Sequence, residues 1–170
     1  MARRVTFKGA PLFLTGKAVK VGGRAFNFKL ISPDLKEVKL SDFKDKIKVV
    51  NFFPSLDTPV CDLQVKEFNR KAAGLGPEVV VIGVSKDLPF AQARFCSANA
   101  IKNELVLSDY RFSSFGLNYG FLIKELNLLA RGSLIIDRKD RIRYIQLVGE
   151  ITQAVNFDEV FAALQEIIKQ

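Results

Sequence analysis

Two cysteines and no histidine restrict the chemistry open to this chain. Cys61 closes the run Pro54-Ser55-Leu56-Asp57-Thr58-Pro59-Val60-Cys61, with an apolar stretch ahead of it and residues at helical spacing behind it. Thr58 suits a helix cap, and Pro59 suits the first helical position, where a missing N–H costs little. Cys61 then takes the third helical position, among N–H groups that lack intrahelical partners and favour an anion. Thiolate is the reactive form of cysteine, and a helix N-terminus is one way to form it at neutral pH. Cys96, with 34 residues between it and Cys61, also falls in a helical stretch. Two thiols in such places point to cysteine redox chemistry. Each residue has a plainer reading as well. Cys61 and Cys96 can be packed apolar residues, Thr58 only a cap, Pro54 only a strand end, and Arg131 one solvated charge among many.

The rest of the composition removes competing classes. Without histidine there is no Ser-His-Asp or Cys-His hydrolase and no zinc site with imidazole ligands. Two distant cysteines make neither a Cys₄ zinc site nor an iron–sulfur site, so no metal and no cofactor is expected. The 170 residues, 48 % of them apolar and fifteen of them Phe, suit one globular domain spanning 1–170. No apolar stretch reaches bilayer length. Behind Met1-Ala2-Arg3-Arg4 there is no apolar h-region, so a cytoplasmic protein without a membrane span is expected. The net charge of +8 gathers at Lys44-Asp45-Lys46-Ile47-Lys48 and Arg138-Lys139-Asp140-Arg141-Ile142-Arg143. Both clusters read as solvated turns beside strands. No nucleic-acid module accompanies them, and nucleic acid is not expected as a partner.

The elements that must position the thiols follow from periodicity. A hairpin is expected at 5–7 and 11–15, punctuated by Gly9 and Gly16. Residues 25–31 read as a short strand after Gly22-Gly23. Residues 46–53 form a near-continuous apolar strand, as expected of a sheet centre buried on both faces. Cys61, Val65, Phe68, Ala72 and Leu75 share one helical face, with Gly74 as a stop. A buried strand at 78–85 precedes a helix opened by Asp87-Leu88-Pro89 and running through Cys96. Two successive βα units imply parallel strands with crossover helices. A short strand at 105–107, a short helix at 112–119, a hairpin at 132–137 and 141–148, and an amphipathic helix at 157–169 led by Asn156 complete the chain. The fold class is α/β, a mixed central sheet with helices on both faces and an N-terminal β-hairpin.

The pattern Pro-x-x-x-Thr-x-x-Cys at Pro54, Thr58 and Cys61 resembles that of the peroxiredoxins. The wider run Asn51-Phe52-Phe53-Pro54-Ser55-Leu56-Asp57-Thr58-Pro59-Val60-Cys61 is similar to that of their thiol peroxidase subgroup, in which both cysteines lie in one chain. A second block, Asp87-Leu88-Pro89-Phe90-Ala91-Gln92-Ala93-Arg94-Phe95-Cys96, and a third, Leu129-Ala130-Arg131, also match. The resemblance runs from Val5-Thr6-Phe7 to the last helix. It implies a thioredoxin fold and a thiol-dependent peroxidase acting on hydrogen peroxide and organic hydroperoxides. It further implies that Cys61 is the peroxidatic cysteine and becomes a sulfenic acid, and that Cys96 is the resolving cysteine that forms an intramolecular disulfide with it. Thioredoxin or a similar dithiol would then reduce the disulfide. In these roles Arg131 favours the thiolate and binds peroxide oxygens, Thr58 orients the attack, and Pro54 walls off water. Family members also imply a homodimer packed through loops near the site.

Departures are few. Ser97-Ala98-Asn99-Ala100 stands where relatives often carry glycines, which would stiffen the Cys96 segment. Gln64 and Thr58 flank Cys61 where a disulfide reductase or oxidase would place a second cysteine as Cys-x-x-Cys. A non-catalytic redox sensor, or a disulfide-exchange protein on the same fold, is the alternative, separated by whether the protein turns over. Phe52, Phe53 and Phe121 are expected near the site, where they would tolerate alkyl groups.

Overall fold

The computed structural model describes residues 2–170. Its centre is β5 (Ile47–Phe52), buried at every position as its continuous apolar run requires. This strand runs parallel to β6 (Val79–Ser85), which runs parallel to β7 (Leu105–Ser108). On its other side β5 pairs antiparallel with β10 (Gly132–Ile136), and β10 pairs with β11 (Ile142–Leu147). Antiparallel β3 (Lys29–Ile31) and β4 (Glu37–Lys39) complete a seven-stranded mixed sheet in the order β11-β10-β5-β6-β7-β3-β4. A second sheet pairs the N-terminal hairpin, β1 (Arg4–Phe7) and β2 (Ala10–Thr15), with β8 (Leu122–Ile123) and β9 (Leu128–Leu129).

Alternation along β5 sorts the layers. Ile47 and Val49 face α1 (Pro59–Ala72) and α4 (Phe157–Ile168), where Phe68, Val160 and Leu164 bury against them. Val50 and Phe52 face the other way, onto α3 (Ser114–Tyr119), where Phe52 stacks on Phe121 at 4.2 Å between ring centroids. The last helix starts where its cap chemistry dictates: the Asn156 side chain accepts from the Glu159 N–H, with Asp158 and Glu159 in the first turn. Helix α2 (Pro89–Ala98) lies over β7, anchored by Gln92, whose amide donates to the Leu107 carbonyl at 3.0 Å.

Helices on both faces of a mixed sheet, together with an N-terminal hairpin, are the architecture expected from the sequence. Three local expectations change. Residues 25–28 are not strand: Ala25 N–H donates to Asp140 O and Arg24 bridges Arg141, so this backbone is satisfied by the β10–β11 turn. The short helix begins at Ser114 and not at Phe112, because Ser113 adopts a left-handed conformation at φ +50°. Lys48 is not solvated. It is fully buried on β5, with its ammonium 2.7 Å from Asp140 and 3.0 Å from the Asp137 carbonyl. Strands β4, β8 and β9 went unforeseen because two or three residues carry no readable period.

Candidate active site

The link from β5 to α1 holds Cys61 in place. Pro59 and Val60 open the helix, and Cys61 follows as its third residue, fully buried among Phe53, Leu56, Val65 and Val106. Thr58 occupies the cap position, but its hydroxyl caps no helical N–H. It donates to the Ser55 carbonyl at 3.0 Å and so tightens the loop before the helix. The loop is pegged from outside by Asp87, just ahead of α2. Its carboxylate accepts from Ser55 Oγ at 2.7 Å, Leu56 N–H at 2.9 Å and Ser85 Oγ at 2.6 Å. One carboxylate therefore ties the approach to Cys61 to the start of the helix that carries Cys96.

Arg131 enters between β9 and β10 and is 2 % exposed, so the solvated-charge reading fails. All three guanidinium nitrogens are engaged. Nη2 donates to Cys61 Sγ at 3.0 Å, Nη1 to Gln64 Oε1 at 2.9 Å and Nε to the Ile151 carbonyl at 2.9 Å. Such a fork, held at three points, gives the sulfur a fixed, charge-assisted donor. Gly132 lets the segment pass, since a Cβ there would sit 2.2 Å from the Gln146 carbonyl and 2.5 Å from the Phe52 ring.

Two supports of the arginine escaped sequence reasoning. Gln64, one turn after Cys61, is fully buried and turns its carbonyl to Arg131. Its amide donates to the Phe52 carbonyl at 3.2 Å and, more weakly, to Asn51 Oδ1 and the Gly132 carbonyl at 3.4 Å. A buried glutamine on the core-facing side of α1 was the available signal. The second support is the N-terminal hairpin. Glu150 accepts from Thr6 Oγ1 at 2.7 Å, Lys8 N–H at 3.0 Å, Gly9 N–H at 3.1 Å and the Thr152 hydroxyl at 2.8 Å. Ile151 N–H donates to the Thr6 carbonyl, and Ile151 presents its own carbonyl to Arg131. The hairpin thus fastens the segment that holds one arm of the arginine.

The Glu150 clasp has a pH signature. The Thr6 hydroxyl first, and then the backbone N–H groups, hold this carboxyl down from 4.5 to about 2. An acid depressed on folding stabilises the fold fully above its unfolded value and loses that stabilisation as pH falls through the folded one. Amide protection at Lys8 and Gly9 should therefore decline between pH 4.5 and 2. Glu150→Gln should remove that decline, and unchanged protection factors across the interval in the parent protein would refute the clasp.

Above Arg131 lies a groove of about 410 Å³ with an almost wholly apolar lining. Pro54, Thr58, Val60 and Arg131 line it together with Phe7, Leu126, Leu128 and Ile151. Of the three aromatic residues expected near the site, only Phe53 joins the cluster around Cys61, and none of the three lines the groove. Phe52 and Phe121 stack in the core on the opposite face of the sheet, and Phe53 packs behind Cys61. Cys96 sits near the end of α2, half-buried against the cluster that contains Cys61, and both thiols are free. Burial first, and the proximity of Glu104 second, push the Cys96 thiol up to about 11. Of the five residues singled out from the sequence, Pro54, Thr58, Cys61 and Arg131 converge, while Cys96 lies on the neighbouring helix. Among the described residues no cluster of His, Cys, Asp and Glu could hold a metal, and no helix is long and apolar enough to cross a membrane.

Comparison with known proteins gives the family and the fold. Residues 20–164 match the Redoxin family. The thiol peroxidase of Bacillus subtilis (strain 168) is 44 % identical over 165 residues, 97 % of this chain and 98 % of that protein. The thiol peroxidase of Streptococcus pneumoniae (strain ATCC BAA-255 / R6) is 44 % identical over 163 residues, 96 % of this chain and 99 % of its own. Among solved structures, a peroxiredoxin-like protein from Aquifex aeolicus superposes with a TM-score of 0.92 at 44 % identity, covering 98 % of both chains. A thiol peroxidase from Chromobacterium violaceum superposes with a TM-score of 0.85 at 21 % identity, again over 98 % of both, and speaks for the fold alone.

Proposed function

Because the chain belongs to the redoxin family, and within it to the thiol peroxidases, it is a peroxidase of the peroxiredoxin type, and we propose that Cys61 is its nucleophile and Cys96 its resolving thiol. The observation that carries this reading is the Arg131 guanidinium, locked at three points and 3.0 Å from a buried sulfur beneath an apolar groove.

The Cys61 thiolate attacks the terminal oxygen of a hydroperoxide. A sulfur–oxygen bond forms as the oxygen–oxygen bond breaks, and the leaving oxygen takes a proton and departs as water or alcohol. Arg131 holds negative charge on the sulfur and offers donors to peroxide oxygens as charge moves onto the leaving one. Thr58 and Pro54 line the approach, Thr58 to orient the peroxide and Pro54 to keep water from the sulfur. The Cys96 thiol then attacks the resulting sulfenic sulfur; a disulfide forms, and the sulfenic oxygen leaves as water with the Cys96 proton. A dithiol protein of the thioredoxin kind restores both thiols by exchange.

The apolar groove supports organic hydroperoxides as substrates alongside hydrogen peroxide, since its walls can cover an alkyl group while Arg131 meets the oxygens. The reading includes a homodimer in a cytoplasmic setting. Leu88 and Phe90, 53 % and 65 % exposed at the start of α2, are apolar surface that a protein partner would cover.

The test is peroxide consumption by the reduced protein coupled to thioredoxin and its reductase. Sustained turnover supports the reading, and a single stoichiometric oxidation without cycling would sink it. Arg131→Ala should slow the oxidation of Cys61 more than about tenfold, equivalent to roughly 1.4 kcal/mol of barrier. An unchanged single-turnover rate would return Arg131 to a packing role.

A further inference from the structure

Glu104 is a buried acid that the chemistry above leaves unused. It precedes β7 and is 6 % exposed, and Oε2 of its carboxyl has no hydrogen-bond partner among the described residues. Its other oxygen accepts from Asn51 Nδ2. The fold makes room for it: a Cβ at Gly83, on the adjacent β6, would lie 2.6 Å from Glu104 Oε1. A carboxyl kept half-satisfied in the interior costs stability, so its retention calls for a use.

The use follows from donor and acceptor order. Arg131 can only donate, so Gln64 must turn its carbonyl toward it, at 2.9 Å. The Gln64 amide then faces Asn51 Oδ1 at 3.4 Å. Asn51 in turn must point its own amide away, where it finds Ile82 O at 3.4 Å and Glu104 Oε1. The chain therefore runs in one direction from Cys61 Sγ through Arg131, Gln64 and Asn51, and it ends on an acceptor. We propose that Glu104 is a positioning residue of the peroxidase centre, the terminal acceptor that fixes Asn51 and Gln64 and so holds the Arg131 guanidinium against Cys61. This role rests on the assignment of Cys61 as the nucleophile. What Glu104 supplies is an oxygen and not a charge: burial pushes the carboxyl up to about 8, against the opposing pull of the Asn51 bond, and at neutral pH it holds its proton.

Replacement separates the role from packing. Glu104→Gln keeps an acceptor in the same place, and Glu104→Val removes it while filling the site with an apolar strand former. The reduced protein is mixed with hydrogen peroxide, quenched by alkylation, and the loss of the Cys61 thiol is followed by intact mass. Glu104→Val should react about fivefold more slowly than the parent with a melting temperature no lower, and Glu104→Gln should recover the parent rate to within about twofold. A slow Glu104→Val with a matching loss of stability would reduce the residue to packing, and parent-like rates would refute the chain. A Glu104→Gln as slow as Glu104→Val would overturn the acceptor role in favour of the charge. Should Glu104→Val fail to fold, Asn51→Val cuts the chain one link nearer Arg131 and must show the same slowing. A parent protein whose Cys61 does not react with peroxide in this assay condemns the peroxidase assignment itself, an outcome distinct from parent-like variants.

Discussion

Cys61→Ser should leave no peroxide turnover. Among the described residues, the sulfur of Cys61 is the only side-chain atom that combines nucleophilic character with a hydrogen bond from the buried arginine, at 3.0 Å. A serine hydroxyl at the same place lacks the sulfur lone pair that accepts peroxide oxygen, and Arg131 cannot make an alkoxide of it at neutral pH. Cys96 cannot substitute. Burial pushes its thiol up to about 11, so it is protonated under working conditions, and it has no arginine beside it. The fold itself should survive, because serine is smaller than cysteine and the Arg131 fork keeps its Gln64 and Ile151 partners. The measurement is peroxide consumption coupled to thioredoxin, beside a thermal melt of the same sample. Turnover above a tenth of the parent rate in a folded Cys61→Ser protein would remove Cys61 from the mechanism.

Cys96→Ser should divide the cycle in two. The first oxidation should run at the parent rate, since nothing bonded to Cys61 involves Cys96, while cycling through thioredoxin should stop. Mass spectrometry after one equivalent of peroxide should then find a sulfenic or higher acid on Cys61. The absence of any such product would show that the division of labour is wrong. A motion is expected with this result. Both thiols are free, Cys61 is sealed in the first turn of α1, and Cys96 is half-buried near the end of α2. A disulfide needs Cα atoms within roughly 7 Å and aligned Cβ vectors. Two thiols on different helices, each following its own strand, should lie farther apart, so that the first turn of α1 is expected to unwind and the Cys96 segment to shift. Opening also removes the main cause of the raised Cys96 value, which is burial, and so eases loss of the Cys96 proton as the thiol attacks. The Asp87 peg joins both segments and is the contact most exposed to this rearrangement. Oxidised and reduced forms should differ in amide exchange at both helix segments, while β5 and β6 stay protected. Identical exchange patterns in the two states would rule the opening out.

Much of the scaffold was legible in the order of residues because it rests on local rules. The apolar run of β5, the Pro59 start of α1, the Asn156 cap of α4 and the turns of the N-terminal hairpin each have a short-range cause, and a mixed sheet with helices on both faces follows from their order; the thioredoxin fold was what the family resemblance implied. Cys61 was legible for the same reason, as a thiol three residues into a helix. Arg131 was not readable from chemistry alone, since a single arginine ahead of a strand has no local mark of burial; only its resemblance to a known block singled it out. Gln64 showed only as a glutamine on the core-facing side of α1, with no sign of its partner, and Glu150 and Glu104 were not legible at all. Each acts through a partner 67, 144 and 53 residues away, respectively Arg131, Thr6 and Asn51, and such pairings leave no periodicity in the chain. The apolar groove was misplaced for a related reason. Phe52, the last residue of β5, faces the opposite layer, and Phe53, just past the strand, packs in the cluster of the thiol. The walls come instead from the hairpin, from residues 126–128 and from Ile151. Cys61 and its helix belong to the local chain; the charge that holds the sulfur, the supports of that charge and the shape of the approach belong to side chains that only the closed sheet brings together.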